Sequence, residues 1–152
     1  MSEVAYDVPR RVDPLDVMLD FVLSSRVALT AAGALAPAAL LDKNVALDLP
    51  STGLVGRLPF VWVQPGPGAD TDRFESVADV DVHVFAATYP VARNLAFGLE
   101  SRLLGYPFRV STGGRSVLVD RVTVAVPAAE VEWQQDSAIR RFQGTYQISN
   151  RR

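Results

Sequence analysis

The sequence predicts an α+β domain in which one mainly antiparallel sheet carries two helices on a single face. Two segments repeat apolar residues at helical spacing behind good helix starts. Several others alternate apolar and polar residues, the pattern of half-buried strands. The order is helix, short strands, long strand, helix, long strand, long strand, for which one sheet with both helices on one side is the simplest architecture. The 152 residues, 49% hydrophobic and 21% charged, fit one globular domain.

Residues 1–12 read as a loose arm, and residues 13–152 as the single domain. Asp13 suits an N-cap, Pro14 the first helical position, and Asp16 adds negative charge to the first turn. Leu15, Met18, Leu19, Val22 and Leu23 form the apolar stripe of this helix, which is expected to end between Ser25 and Ala32, before Gly33. Ala34 to Leu41 could form a helical turn around Pro37, and Val45, Leu47 and Leu49 a short strand. Pro50 to Gly56 reads as a turn, Phe60 to Gln64 as a strand, and Pro65-Gly66-Pro67-Gly68 with Asp70 to Asp72 as the loop of an antiparallel hairpin.

The next strand has Val80, Val82, Val84 and Ala86 on one face and Asp79, Asp81, His83 and Phe85 on the other. Extending it back to Phe74 requires a bulge near Val77 and Ala78, and its length suggests that part of it pairs with another chain. A second helix follows, with Thr88 as N-cap, Pro90 in the first turn and Gly105 at its close. Its stripe is Val91, Leu95, Leu99 and Leu103, thickened by Ala92, Ala96 and Leu104, with Arg93, Glu100 and Arg102 facing water or a partner. Pro107 to Gly114 reads as a connection with a turn at Gly113-Gly114. The valines from Val117 to Val126 change parity at Asp120-Arg121, the mark of a bulge or bend. Pro127 to Gln135 reads as a loop. The last strand, from about Ile139 to Ser149, turns Phe142, Gly144, Tyr146 and Ile148 inward and Arg141, Gln143, Thr145 and Gln147 outward.

A net charge of −2 gives no strong field toward nucleic acid or an anionic membrane. Lys43 is the only lysine; the remaining basic side chains are arginines. That reads as codon bias in a GC-rich genome, and is compatible with guanidinium groups at protein interfaces. Having no cysteine, the chain has no disulfide, zinc thiolate or cysteine nucleophile. Met1 to Arg11 lacks the apolar run of a signal peptide. Val27 to Leu41, interrupted by Gly33 and Pro37, falls short of the ~20 apolar residues of a membrane span. The chain reads as made in the cytoplasm.

No catalytic, cofactor-binding or metal site is expected. His83, the only histidine, would need a second ligand or a nucleophile to serve as metal ligand or base, and reads as a surface or interface residue. Asp79 and Asp81 could be a glycosidase-like carboxylate pair, but alternating surface acids on a strand are far commoner, and no pocket-forming motif flanks them. Neither the Gly66/Gly68 nor the Gly113-Gly114 segment precedes a helix, as a phosphate-binding loop must. Trp62 and Trp133 read as packing residues or, for Trp133 especially, as an interface anchor. The expectation is a protein that works by assembly and is not an enzyme. Its candidate contact residues are Asp79, Asp81, His83, Trp133, Arg140, Arg141 and Gln143.

The segments Val80-Asp-Val-His-Val-Phe-Ala, Pro90 to Gly105, Arg115-Ser-Val-Leu-Val-Asp-Arg-Val and Ile139-Arg-Arg-Phe-Gln-Gly-Thr-Tyr-Gln-Ile-Ser together resemble the tail terminator proteins of long-tailed actinobacteriophages. The resemblance covers about residues 58–150 and includes no catalytic signature. It implies a virion protein that forms a ring, typically hexameric, on the head-proximal end of the tail tube. Such a ring stops tube growth and receives the neck or head-completion proteins, while double-stranded DNA passes through its lumen without sequence recognition. The implied partners are thus further copies of the chain, the major tail tube protein and a neck protein, with no cofactor and no membrane. A neck or head–tail connector, another tail component, and more remotely a small cellular binding domain, remain the competing readings.

Overall fold

Two helices and six strands make up the computed structural model, which describes residues 13–25, 44–50, 53–71, 75–133, 136 and 138–151, with the backbone alone for 67–71, 75, 76 and 151. The expected arm at 1–12, the turn at Ala34 to Leu41 and the region after Ser25 lie outside the described residues. Helix α1 spans Pro14–Ser24, and the Asp13 carboxylate accepts the Leu15 amide at 2.9 Å, satisfying one of the donors that a helix start leaves unpaired. Its buried face is Val17, Met18, Phe21 and Val22. Helix α2 spans Tyr89–Leu103 and buries Ala92, Leu95, Ala96, Leu99 and Leu103. Val91 and Leu104 are exposed, contrary to the expected stripe. Residues four apart drift by about 40° per step around a helix, which carries Val91 off the face that Leu99 and Leu103 share.

The strands are β1 (Val45–Ala46), β2 (Phe60–Thr71), β3 (Glu75–Ala86), β4 (Phe108–Thr112), β5 (Arg115–Val131) and β6 (Arg140–Arg151). They form one sheet in the order β1-β2-β3-β6-β5-β4, antiparallel except where β1 runs parallel to β2. Both helices lie on one face, where their apolar residues meet Val80, Val82, Val84, Val122, Phe142, Tyr146 and Ile148. Each such side chain taken fully from water contributes roughly 1.5–3 kcal/mol, so this layer is the main source of stability.

The α+β class and the antiparallel sheet match the sequence-based expectation, but three connections differ. The Pro65-Gly-Pro-Gly segment is part of β2: Ala69, Asp70 and Thr71 pair with Ala78, Val77 and Ser76, and the irregularity lies between Pro65 and Ala69. β3 pairs with β6 without a register break from Glu75 to Ala86, so the bulge expected at Val77 belongs to its neighbour. β3 is also flanked on both sides, which leaves no part of it for another chain. Pro107 to Gly114 contains strand β4 and a two-residue turn whose glycines both have positive φ, 57° at Gly113 and 74° at Gly114. Pro127 to Val131, expected in a loop, continues β5. The bend expected at Asp120-Arg121 is present as a register shift between Val119 and Arg121.

Candidate functional site

Sheet parity places five of the seven candidate residues on one face, and packing brings Trp133 to the same side. Asp79, Asp81 and His83 project from β3 on the face away from the helices, and their partners across the ladder are Gln147, Thr145 and Gln143. Arg141 faces Phe85 on the same side. Arg140, paired with Ala86, points to the helix-bearing side. There it meets Glu130 at 3.1 Å and lies over the Tyr89 ring at 5.6 Å. The two candidate arginines, Arg140 and Arg141, therefore stand on opposite faces, as alternation on a strand requires.

The outer face forms a polar ladder that closes over at one end. Gln147 Nε2 donates to Asp79 at 3.2 Å, Thr145 Oγ1 to Asp81 at 2.6 Å, and Gln64 Nε2 to the other Asp81 oxygen at 3.4 Å. Beyond them the surface is not open. His83 is 2% exposed, which corrects its reading as a surface residue. The Trp62 ring stacks on it at 4.5 Å, held in turn by its indole N–H on the Leu47 carbonyl at 3.0 Å. Phe60, Phe85 and Ile139 form a second small core here, covered by Leu49, Leu54, Leu58, Trp62 and Trp133.

Trp133 is half-buried in that layer, its ring edge-on to Phe85 at 5.0 Å and under the Arg141 guanidinium at 5.4 Å. It closes the cluster and does not project. Parity gives the face of a side chain, whereas what covers it comes from residues 47–58 and 133, remote in sequence.

Arg141 Nη2 lies 3.1 Å from His83 Nδ1 and donates to Gln143 Oε1 at 2.8 Å. Guanidinium has no acceptor, so Nδ1 accepts and the ring proton sits on Nε2. Burial, reinforced by the Arg141 charge and opposed by Asp81, lowers the His83 pKa to about 4. Burial also lowers that of Arg141. The arrangement holds a neutral imidazole against a cation, which suits a packed structural cluster.

The helix-bearing side holds a second polar group that sequence reasoning missed. Glu100, expected to face water or a partner, accepts from the Tyr146 hydroxyl at 3.0 Å and from the Ala128 amide at 2.9 Å, tying α2 to both β6 and β5. Burial, with the Glu100 charge, raises the Tyr146 pKa. Arg102 Nε likewise donates to Ser25 Oγ at 2.9 Å, linking the two helices. The Tyr146 ring lies over Gly144, where a Cβ would stand 2.7 Å from the Tyr146 Cζ. The available signal was a glycine two residues before an aromatic on one strand face.

Among the described residues no three His, Asp or Glu side chains are grouped to hold a metal ion, and no helix is long and apolar enough to cross a membrane. No family model and no curated protein matches the chain. Its fold is found in a virion. A chain in the structure "Virion of native gene transfer agent (GTA) particle" superposes with a TM-score of 0.55 at 16% identity, covering 90% of this chain and 96% of that one. A second solved chain, at 15% identity and a TM-score of 0.46, is too distant to carry an argument.

Proposed function

We propose that this chain is a structural protein of a phage-like virion, and within that class a tail terminator. The observation that carries the reading is the fold shared over nearly the full length of both chains with a component of a gene transfer agent particle. The resemblance of residues 58–150 to tail terminators supports the finer assignment. In this reading copies of the chain close a ring, hexameric in the related phages, on the head-proximal end of the tail tube. The ring ends addition of tube subunits, receives the neck proteins and lets double-stranded DNA pass. The protein acts by contact and carries out no reaction, and its place is the head–tail junction of the virion.

Deleting the gene tests this directly by electron microscopy of the particles. Overlong or irregular tails detached from full heads are the expected result. Tails of normal length beside leaking heads would instead assign the chain to the neck, and unaltered particles would remove it from the virion altogether.

A further inference from the structure

The side of α2 that faces β5 is aromatic and half open. At about 100° per residue, Tyr89, Arg93, Phe97 and Glu100 leave the helix on one side of its buried face and Arg102 on the other. Arg102 points to α1 through Ser25, and Glu100 to β5 through the Ala128 amide, which fixes the two directions. On the β5 side the rings of Tyr89 and Phe97 stand 5.5 and 5.8 Å from that of Phe142. Phe142 is buried beneath them, whereas Tyr89 is 40% and Phe97 46% exposed. The three rings thus form one continuous strip on the helix-bearing side. Arg93, one turn from each exposed ring, lies over Tyr89 at 5.6 Å and donates to Asn94 Oδ1 at 3.3 Å. Arg140 at the same end is neutralised by Glu130, but Arg93 makes no ion pair among the described residues. Large apolar side chains gathered on one face beside an uncompensated cation mark a contact surface.

The residues ahead of α1 have the composition of a ligand for it. In Glu3-Val4-Ala5-Tyr6-Asp7-Val8 the larger apolar residues Val4, Tyr6 and Val8 alternate with two acids and one alanine, and there is no basic residue. Three apolar side chains suit the aromatic strip, and the carboxylates suit Arg93. This segment is tied to Asp13 at the start of α1, and α1 lies on the opposite side of α2 from the strip. To reach the strip of its own copy it would have to pass over α2, about 10–12 Å thick, while the seven steps from Tyr6 to Asp13 span at most about 25 Å. A copy set against the β5 side has no helix of the recipient to cross.

We infer that the segment Glu3–Val8 of one copy lies on the Tyr89–Phe142–Phe97 strip of its neighbour, with its acids against Arg93. Each copy then gives one segment and offers one strip, a head-to-tail contact of the kind that closes into rings. The inference rests on the ring reading above and specifies one contact within the ring.

Replacing Tyr6 by the photoreactive p-benzoylphenylalanine keeps an aromatic side chain there and reports what it touches. Illuminating assembled particles is expected to give a covalent dimer of this chain on a denaturing gel, with the cross-link mapped by mass spectrometry to Tyr89, Arg93, Phe97 or Phe142. Arg93→Glu should abolish the dimer at an unchanged thermal midpoint, which shows that the variant folds. Adding Glu3→Arg and Asp7→Arg to it should restore the dimer. A cross-link within one chain, to another part of the neighbour or to a different virion protein would overturn the inference, as would a dimer indifferent to Arg93→Glu. Rings visible by electron microscopy without any cross-link would overturn it and leave the ring standing. The absence of any ring on the tail would overturn both readings.

Discussion

Acidification provides a sharp test of the outer-face cluster through His83. The imidazole is buried, stacked on Trp62, and accepts from Arg141, so protonating Nδ1 sets donor against donor beside a fixed cation. Its pKa falls from 6.5 to about 4 on folding. Between those values the unfolded chain holds the proton and the native chain does not, so stability falls as pH drops through the window and the loss is complete below it. The gap corresponds to about 3 kcal/mol, at about 1.4 kcal/mol per pH unit. Against a typical stability of about 5–15 kcal/mol, that is a substantial share.

Urea unfolding of the wild type and of His83→Gln, measured from pH 7 to pH 4, isolates the effect. Carboxylates titrating in the same range contribute to both proteins and cancel in the difference. The stability advantage of the wild type over the variant should shrink by about 3 kcal/mol across the window. A constant difference, or a His83 NMR titration midpoint near 6.5, would refute the reasoning.

Other substitutions probe the packing. Gly144→Ala places a methyl group against the Tyr146 ring and should cost about 2 kcal/mol or more by denaturant unfolding, with loss of the Glu100 contact. Tyr146→Phe removes a half-buried hydrogen bond to a carboxylate and should cost about 2 kcal/mol, read in the same assay. Trp133→Ala uncovers Phe85 and is expected to cost about 2 kcal/mol, with a change in near-ultraviolet circular dichroism from the disturbed aromatic cluster. Asp13→Ala removes the cap of α1 and should lower stability by about 1 kcal/mol.

Which segments were legible from sequence follows from what determines each one. Alternation fixed the two faces of β3 and β6, because period two is a property of the strand itself, and the cap at Asp13 was visible because capping is local. Pro65-Gly-Pro-Gly and Pro127 were misread because proline and glycine penalise interior strands, whereas these segments lie where, among the described residues, part of a strand has a neighbour on only one side. The environment of His83 was not legible, since Trp62, Trp133 and Leu54 reach it from three separate parts of the chain. Glu100 looked like a solvent-facing charge because nothing local announces that Tyr146 lies beneath it.

The position of β6 also determines how the chain reaches this fold. β2 with β3 and β4 with β5 are antiparallel pairs adjacent in sequence, the kind of local contact that closes on the microsecond scale. β6 is the strand that joins them, and its pairs with β3, from Glu75 with Arg151 to Ala86 with Arg140, span long stretches of sequence. Closing such loops is slow, placing the chain toward the millisecond-to-second range of β-rich domains. Until β6 is seated, β3 and β5 each expose an unpaired strand edge to any other chain in the same state. A change that delays β6 would thus reduce the yield of usable subunits through aggregation, even where the finished fold remained stable.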